Sequence, residues 1–124
     1  MSNWLAVALG GALGATLRYG TSLLMLRLVG TSFPLATLLV NALGSLAMGA
    51  LYALSMQVAL SPTLKAFIGV GLLGALTTFS TFSNETVLLM QQGHGLRALL
   101  NVVLNLGVCF TMVYIGQQWV ATQQ

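Results

Sequence analysis

Residues 28–64, 66–84 and 98–124 contain no Asp, Glu, Lys or Arg. Each run is at least about as long as a bilayer is thick when coiled into a helix, since a spanning helix takes about 20 residues. That feature limits the fold more than any motif does. A soluble domain keeps about a quarter of its residues charged; here 4% are charged, 57% are hydrophobic, and the mean hydropathy is +0.94. The chain reads as one integral membrane domain, all-α, with room in 124 residues for four transmembrane helices. The expected spans are approximately 3–29, 34–60, 62–90 and 96–120. So little material leaves one subunit unable to enclose a polar path alone, and oligomerisation is expected.

The same numbers exclude several functions. Four basic residues are too few and too scattered for a nucleic-acid surface. The single cysteine, Cys109, excludes an internal disulfide. No nucleophile–base pair, phosphate loop or metal-ligand cluster supports an enzyme. The N-terminus lacks a cationic region and a clear cleavage site, so it is expected to be a retained span.

In the first span Trp4 fits an interfacial anchor. Gly10 and Gly14 form a GxxxG pair, read either as a close helix contact or as ordinary glycine tolerance in lipid. Arg18 lies inside the apolar run. It serves either as an anion-attracting vestibule charge or as an arginine snorkelling to the helix end. Arg27 marks that end better, which favours the vestibule. Thr31 or Ser32 is expected to cap the second span, with Pro34 in its first turn. Thr37, Asn41 and Ser45 recur every four residues and make a polar stripe, with Tyr52 roughly on the same side. Asn41 has two amide donors, for an anion or for a neighbouring helix.

The third span opens on Ser61-Pro62, a cap and a first-turn proline, with Lys65 near the interface. Gly69, Gly71 and Gly74 make it pliable. Then comes Gly74-Ala-Leu-Thr-Thr-Phe-Ser-Thr-Phe-Ser83, whose hydroxyl and β-branched residues make a mediocre helix. One reading is a broken helix whose freed backbone and hydroxyls handle a small ion, since non-helical backbone in lipid survives only in protein or along a polar cavity. The other is an ordinary helix with Ser and Thr bonded to their own preceding turn. Phe79 and Phe82 share a face, and ring edges carry positive charge. Two edges turned into a narrow path favour an anion and hence the break. Glu85 is the only acid. It reads as a proton relay, a cation site, a partner for a base such as Arg18, or a supporting group behind the site, and the last two are preferred. His94, in the polar loop Gln91–Gly95, reads as a solvated histidine. In the fourth span Asn101, Asn105 and Cys109 lie on one face, and Trp119 mirrors Trp4.

Gly74-Ala-Leu-Thr-Thr-Phe-Ser-Thr-Phe-Ser-Asn-Glu85, Gly10-Gly-Ala-Leu-Gly-Ala-Thr-Leu-Arg-Tyr19 and Thr37-Leu-Leu-Val-Asn-Ala-Leu-Gly44 together resemble the Fluc (CrcB) family of fluoride channels, over nearly the whole chain. The resemblance implies a four-helix subunit with a third helix broken mid-membrane. Subunits of this kind pair as an antiparallel, dual-topology homodimer in the bacterial inner membrane, with two fluoride pores that relieve cytoplasmic fluoride toxicity passively. It implies a structural sodium ion held between subunits by the backbone carbonyls of Gly74 and Thr77, four oxygens in all. The implied pore set is Asn41, Phe79, Ser80, Thr81, Phe82, Asn105 and Cys109, with Arg18 at the vestibule and Glu85 structural. The chain departs from the family pattern at Cys109, where serine is common and a thiol donates more weakly. Val113 stands where a threonine often lies, and Ala75 replaces a glycine.

With the N-terminus inside, Lys65 lies inside and Arg18, Arg27 and Arg97 outside. The N-terminal amine and the intramembrane position of Arg18 leave a usable bias of about one charge, so the two orientations are comparable. The rival to a channel is a small dual-topology proton-coupled exporter; such proteins carry a working carboxylate in the first span, where this chain has Arg18. A third reading is a non-transporting assembly subunit.

Overall fold

The computed structural model describes residues 1–30 and 32–123, and every described element is helical. Helix α1 (Asn3–Leu28) begins where the Ser2 hydroxyl accepts the Leu5 amide at 3.2 Å. It stops at Gly30, whose φ of +83° only glycine adopts freely. Helix α2 (Leu35–Gln57) follows. The cap expected for it from Ser32 is not made: among the described residues no side chain caps α2, and the Ser32 carbonyl instead accepts from Arg97 Nη1 at 3.4 Å. Thr31, the other expected cap, lies outside the described residues. Pro34 precedes the first turn. Its φ of −78° and ψ of 64°, with Leu35 N donating to Phe33 O at 2.8 Å, make an inverse γ-turn that sets the entry of the chain.

The third apolar stretch is not one regular helix. Helix α3 (Pro62–Lys65), capped by the Ser61 hydroxyl on Leu64 N at 3.1 Å, runs into a π-helical segment (Ala66–Leu73) and then into α4 (Gly74–Leu76). π-Helix is rare and marks sites of local strain or function. Here it contains Gly69 and Gly71, whose lack of Cβ lowers the cost of irregular backbone. After two extended residues, Thr77 and Thr78, helix α5 (Phe79–Gln91) resumes. It closes in a Schellman turn: Gly93, at φ +80°, donates to Met90 O at 3.1 Å and His94 N donates to Leu89 O at 2.8 Å. Helix α6 (Gly95–Ala121) completes the chain.

Two helix pairings organise the subunit: α1 on the π-helical segment, and α2 on α6. Both use glycine against backbone. A Cβ on Gly10 would collide with the Phe67 carbonyl, and one on Gly14 with the Leu72 carbonyl. Gly49 faces the Val113 carbonyl in the same way, and Gly116 the Leu46 carbonyl. In lipid the hydrophobic effect does not drive helices together, so such close backbone packing is what holds them. The GxxxG pair of α1 is therefore a contact, and its partner is the pliable third stretch. Few large side chains are buried, and leucines cover the outside, as a lipid-facing surface requires. Trp4 and Trp119 are 89% and 61% exposed.

Leu35–Gln57, Pro62–Gln91 and Gly95–Ala121 are each long and apolar enough to cross a membrane. Four spans are expected from the sequence, and α1 is the one short of this standard. Its 26 residues reach about 39 Å, but Arg18, Arg27 and several hydroxyls dilute it.

Candidate functional site

The two extended residues between α4 and α5 are held by α2. Thr78, at φ −153° and ψ 120°, offers its amide and carbonyl to one side chain. Asn41 Oδ1 accepts Thr78 N at 2.8 Å, and Asn41 Nδ2 donates to Thr78 O at 3.1 Å. One turn further along α2, the Thr77 methyl seats on Gly44, where any Cβ would collide with it. Thr77 Oγ1 donates back to Leu73 O at 2.9 Å. The Thr78 hydroxyl caps α5 by accepting Thr81 N at 3.2 Å and donates to Thr81 Oγ1 at 3.1 Å; Ser80 Oγ lies 3.3 Å away. The two readings of this stretch are thus both partly realised. The helix breaks at Thr77–Thr78, and Ser83 and Thr86 downstream bond to the preceding turn.

Interrupting a helix frees carbonyls, and an unpaired buried carbonyl is costly. Arg18 takes one of them: its Nε donates to Ala75 O at 3.0 Å. Among the described residues no donor reaches the carbonyl of Gly74 or Thr77. Gly74 is exposed and Thr77 half-buried. Bare carbonyl oxygens suit a hard cation. No group of three His, Cys, Asp or Glu side chains among the described residues is placed to hold a metal, so any cation here would be held by backbone.

Beside the break lies an open groove of about 320 Å³ between α2, α5 and α6. Asn41, Thr77, Phe79, Phe82, Asn105 and Cys109 line it. The two rings are edge-to-face, with centroids 5.5 Å apart and planes at 60°. Phe82 is 7% exposed and Phe79 76%, so one ring is rooted in the subunit and the other stands at its surface. Ser80 and Thr81 sit at the start of α5, joined to the groove through the Thr78 hydroxyl. The Cys109 thiol is half-buried and free.

The preferred pairing of Glu85 with Arg18 is not made. Arg18 is bound to the Ala75 carbonyl, and Glu85 Oε1 accepts the Thr37 hydroxyl at 2.8 Å. Glu85 Oε2 is buried without a partner among the described residues. Glu85 lies away from the groove, in a separate cavity with Ser22, Phe33 and Gln92. A helix break offers Arg18 a nearer acceptor than the carboxylate, a competition that residue types alone do not disclose.

Asn41 and Asn105 are joined, Asn41 Nδ2 donating to Asn105 Oδ1 at 3.1 Å. Asn105 Nδ2 in turn donates to the side chain and carbonyl of Asn101. The amide donors of both groove asparagines are therefore spent within the subunit. Sequence reasoning missed Thr78, whose pattern with Thr81 is that of a helix cap, and Thr86, for which the sequence carries no signal.

These features define a polytopic helical membrane protein with an interrupted helix lining a narrow, ring-edged groove. The family model described as CrcB-like protein, Camphor Resistance (CrcB) matches residues 5–117. A protein named fluoride-specific ion channel FluC from Shewanella sp. (strain ANA-3) is 64% identical over 120 residues, 97% of each chain. Proteins of the same name from Shewanella pealeana and Shewanella denitrificans are 63% and 62% identical over the same coverage. The chain belongs to the CrcB family.

Proposed function

We infer that this protein is a fluoride-selective channel that lets fluoride leave the cytoplasm down its electrochemical gradient. The observation that carries this is 64% identity, over 97% of both chains, to a protein named as a fluoride-specific channel. The groove fits that work. Fluoride holds its water strongly, so a pore must replace water without becoming a trap, and conduction needs binding that still allows exit. Ring edges at Phe79 and Phe82 and the neutral hydroxyls of Ser80 and Thr81 beside the groove supply moderate donors, while Asn41 and Asn105, whose amide hydrogens are spent within the subunit, hold the pore wall in shape. Cys109 continues the lining with a weaker donor. Arg18 raises the local anion concentration while holding the Ala75 carbonyl. Glu85 is structural and ties α5 to α2 through Thr37.

The working unit is an antiparallel homodimer in the bacterial inner membrane, with α1 as the fourth span of each subunit and residues 1–124 as one domain. Support comes from the open side of the groove. In a lone subunit the Gly74 and Thr77 carbonyls have no donor among the described residues and Phe79 is exposed, and lipid does not tolerate unpaired backbone. A second, inverted copy covers them. Gly74 and Thr77 of both copies would hold the sodium ion, which supplies a fixed positive charge that ties two breaks together. The bacterial source of the relatives supports the location.

A fluoride electrode on liposomes carrying purified protein tests the function. Fluoride should leave down its gradient with no imposed proton gradient, and chloride should stay. Efflux that requires counter-moving protons would make the protein an exporter, and no efflux would leave an assembly subunit. Single cysteines near Ser2, in a Cys109→Ser background, should react with impermeant reagents from both faces of the membrane. Labelling from one face only would end the antiparallel assignment.

A further inference from the structure

Asn101 is the largest fully buried side chain among the described residues, at 0% exposure, and it lines neither the ring-edged groove nor the Glu85 cavity. A buried amide in a membrane helix needs partners, and those of Asn101 form part of a closed circuit. The circuit starts at a backbone donor of fixed identity, Thr78 N–H, so Asn41 must present oxygen to it, at 2.8 Å. Asn41 Nδ2 then donates to Asn105 Oδ1 at 3.1 Å. Asn105 Nδ2 donates to Asn101 Oδ1 at 3.0 Å, and Asn101 Nδ2 to Thr86 Oγ1 at 2.9 Å. The Thr86 hydroxyl finally donates to the Phe82 carbonyl at 2.8 Å. Both ends of the path are therefore backbone groups at the start of α5, a donor at Thr78 and an acceptor at Phe82, four residues apart. Amide orientation is usually ambiguous, but here the two ends dictate it throughout. Flipping any one asparagine would set donor against donor or acceptor against acceptor. Linked hydrogen bonds polarise one another, so such a chain holds its geometry better than its members would singly.

We propose that Asn101 is a positioning residue for conduction: through Asn105 and Asn41 on one side and Thr86 on the other, it holds the Thr77–Thr78 break and the Phe79–Phe82 ring pair in register without touching the ion. This rests on the fluoride-channel reading above. Asn101→Leu removes two links of the circuit, and Thr86→Val leaves the Asn101 amide without its acceptor. Thr86→Ser keeps the hydroxyl and so the whole path.

The test measures fluoride efflux per assembled channel in liposomes, with chloride leak as a second readout and hydrogen exchange of residues 78–82 as a third. The unaltered protein is run first, so failure of the channel reading shows there and not in the variants. Thr86→Val and Asn101→Leu should each lower efflux per channel about tenfold or more: the first leaves the buried Asn101 amide without its acceptor, and the second cuts the path between Asn105 and Thr86, although Asn105 Nδ2 keeps the backbone carbonyl of residue 101. Amide exchange at residues 78–82 should rise while α1 is unchanged. Thr86→Ser should restore both. If Asn101→Leu does not assemble, the Thr86→Val and Thr86→Ser pair decides. Variants that assemble in lower yield but conduct normally per channel, with unchanged exchange, would show a purely stabilising role and overturn the proposal.

Discussion

Phe79→Ile and Phe82→Ile should each lower fluoride efflux at least about tenfold, while the assembled protein persists. Isoleucine keeps much of the bulk but has no polarised ring edge, so the loss falls on the electrostatic contribution. The two rings meet edge-to-face at 5.5 Å and 60°, a geometry worth about 0.5–1.5 kcal/mol beyond burial. Inside a membrane the effective dielectric is low, and the interaction of an edge with an anion is correspondingly stronger. The two variants should differ in stability. Phe82 is 7% exposed, so Phe82→Ile leaves a small cavity and costs about 1–3 kcal/mol. Phe79 is 76% exposed and loses little within the subunit. Phe79→Ile is thus the cleaner probe: a fall in efflux there cannot come from a weakened core. Because the rings touch, the double variant should be non-additive. Efflux from both single variants equal to that of the unaltered protein would remove the rings from the mechanism.

Replacing sodium on both sides by a large organic cation, with time for exchange, should abolish or strongly slow fluoride efflux, or loosen the proposed dimer. Two carbonyls at the break, those of the exposed Gly74 and the half-buried Thr77, have no donor among the described residues. Leaving such groups unpaired in lipid costs several kcal/mol each, on the order of a channel subunit's whole margin of stability. A cation shared by two copies offsets that cost, and its loss should be felt as loss of assembly as well as of flux. Size-exclusion behaviour in sodium-free buffer therefore gives a readout apart from conduction. Since the proposed ligands are backbone atoms, side-chain changes at Thr77 should matter through packing on Gly44 rather than through ion affinity. Sodium moving in step with fluoride would contradict a structural ion. A density at the centre with contacts at hydrogen-bond distance, rather than at about 2.4 Å, would contradict an ion altogether.

The sequence by itself determined the solvent of this protein and the outline of its helices. Charge-free runs across residues 28–64, 66–84 and 98–124 leave no other environment, because the cost of exposing apolar surface adds up residue by residue and needs no tertiary knowledge. Where an interruption could fall was legible for a similar reason, although an unbroken helix with its hydroxyls bonded back fitted the same residues. Gly74 and the Thr77-Thr78 pair are poor helix formers wherever they stand, and Ser61-Pro62 starts a helix locally. The glycines of α1 announced a close approach, though not to which helix. What only the tertiary structure decided is who bonds whom. Arg18 took the Ala75 carbonyl over the lone carboxylate, Glu85 took Thr37, and Asn41 spent both amide hydrogens on Thr78 and Asn105. The π-helical turn at Ala66–Leu73 and the γ-turn at Pro34 belong to the same group. Each is a choice among several chemically equal partners within reach. Hydrogen bonding discriminates among them by fractions of an ångström and by direction, which depend on how helices dock and not on the order of residues along the chain.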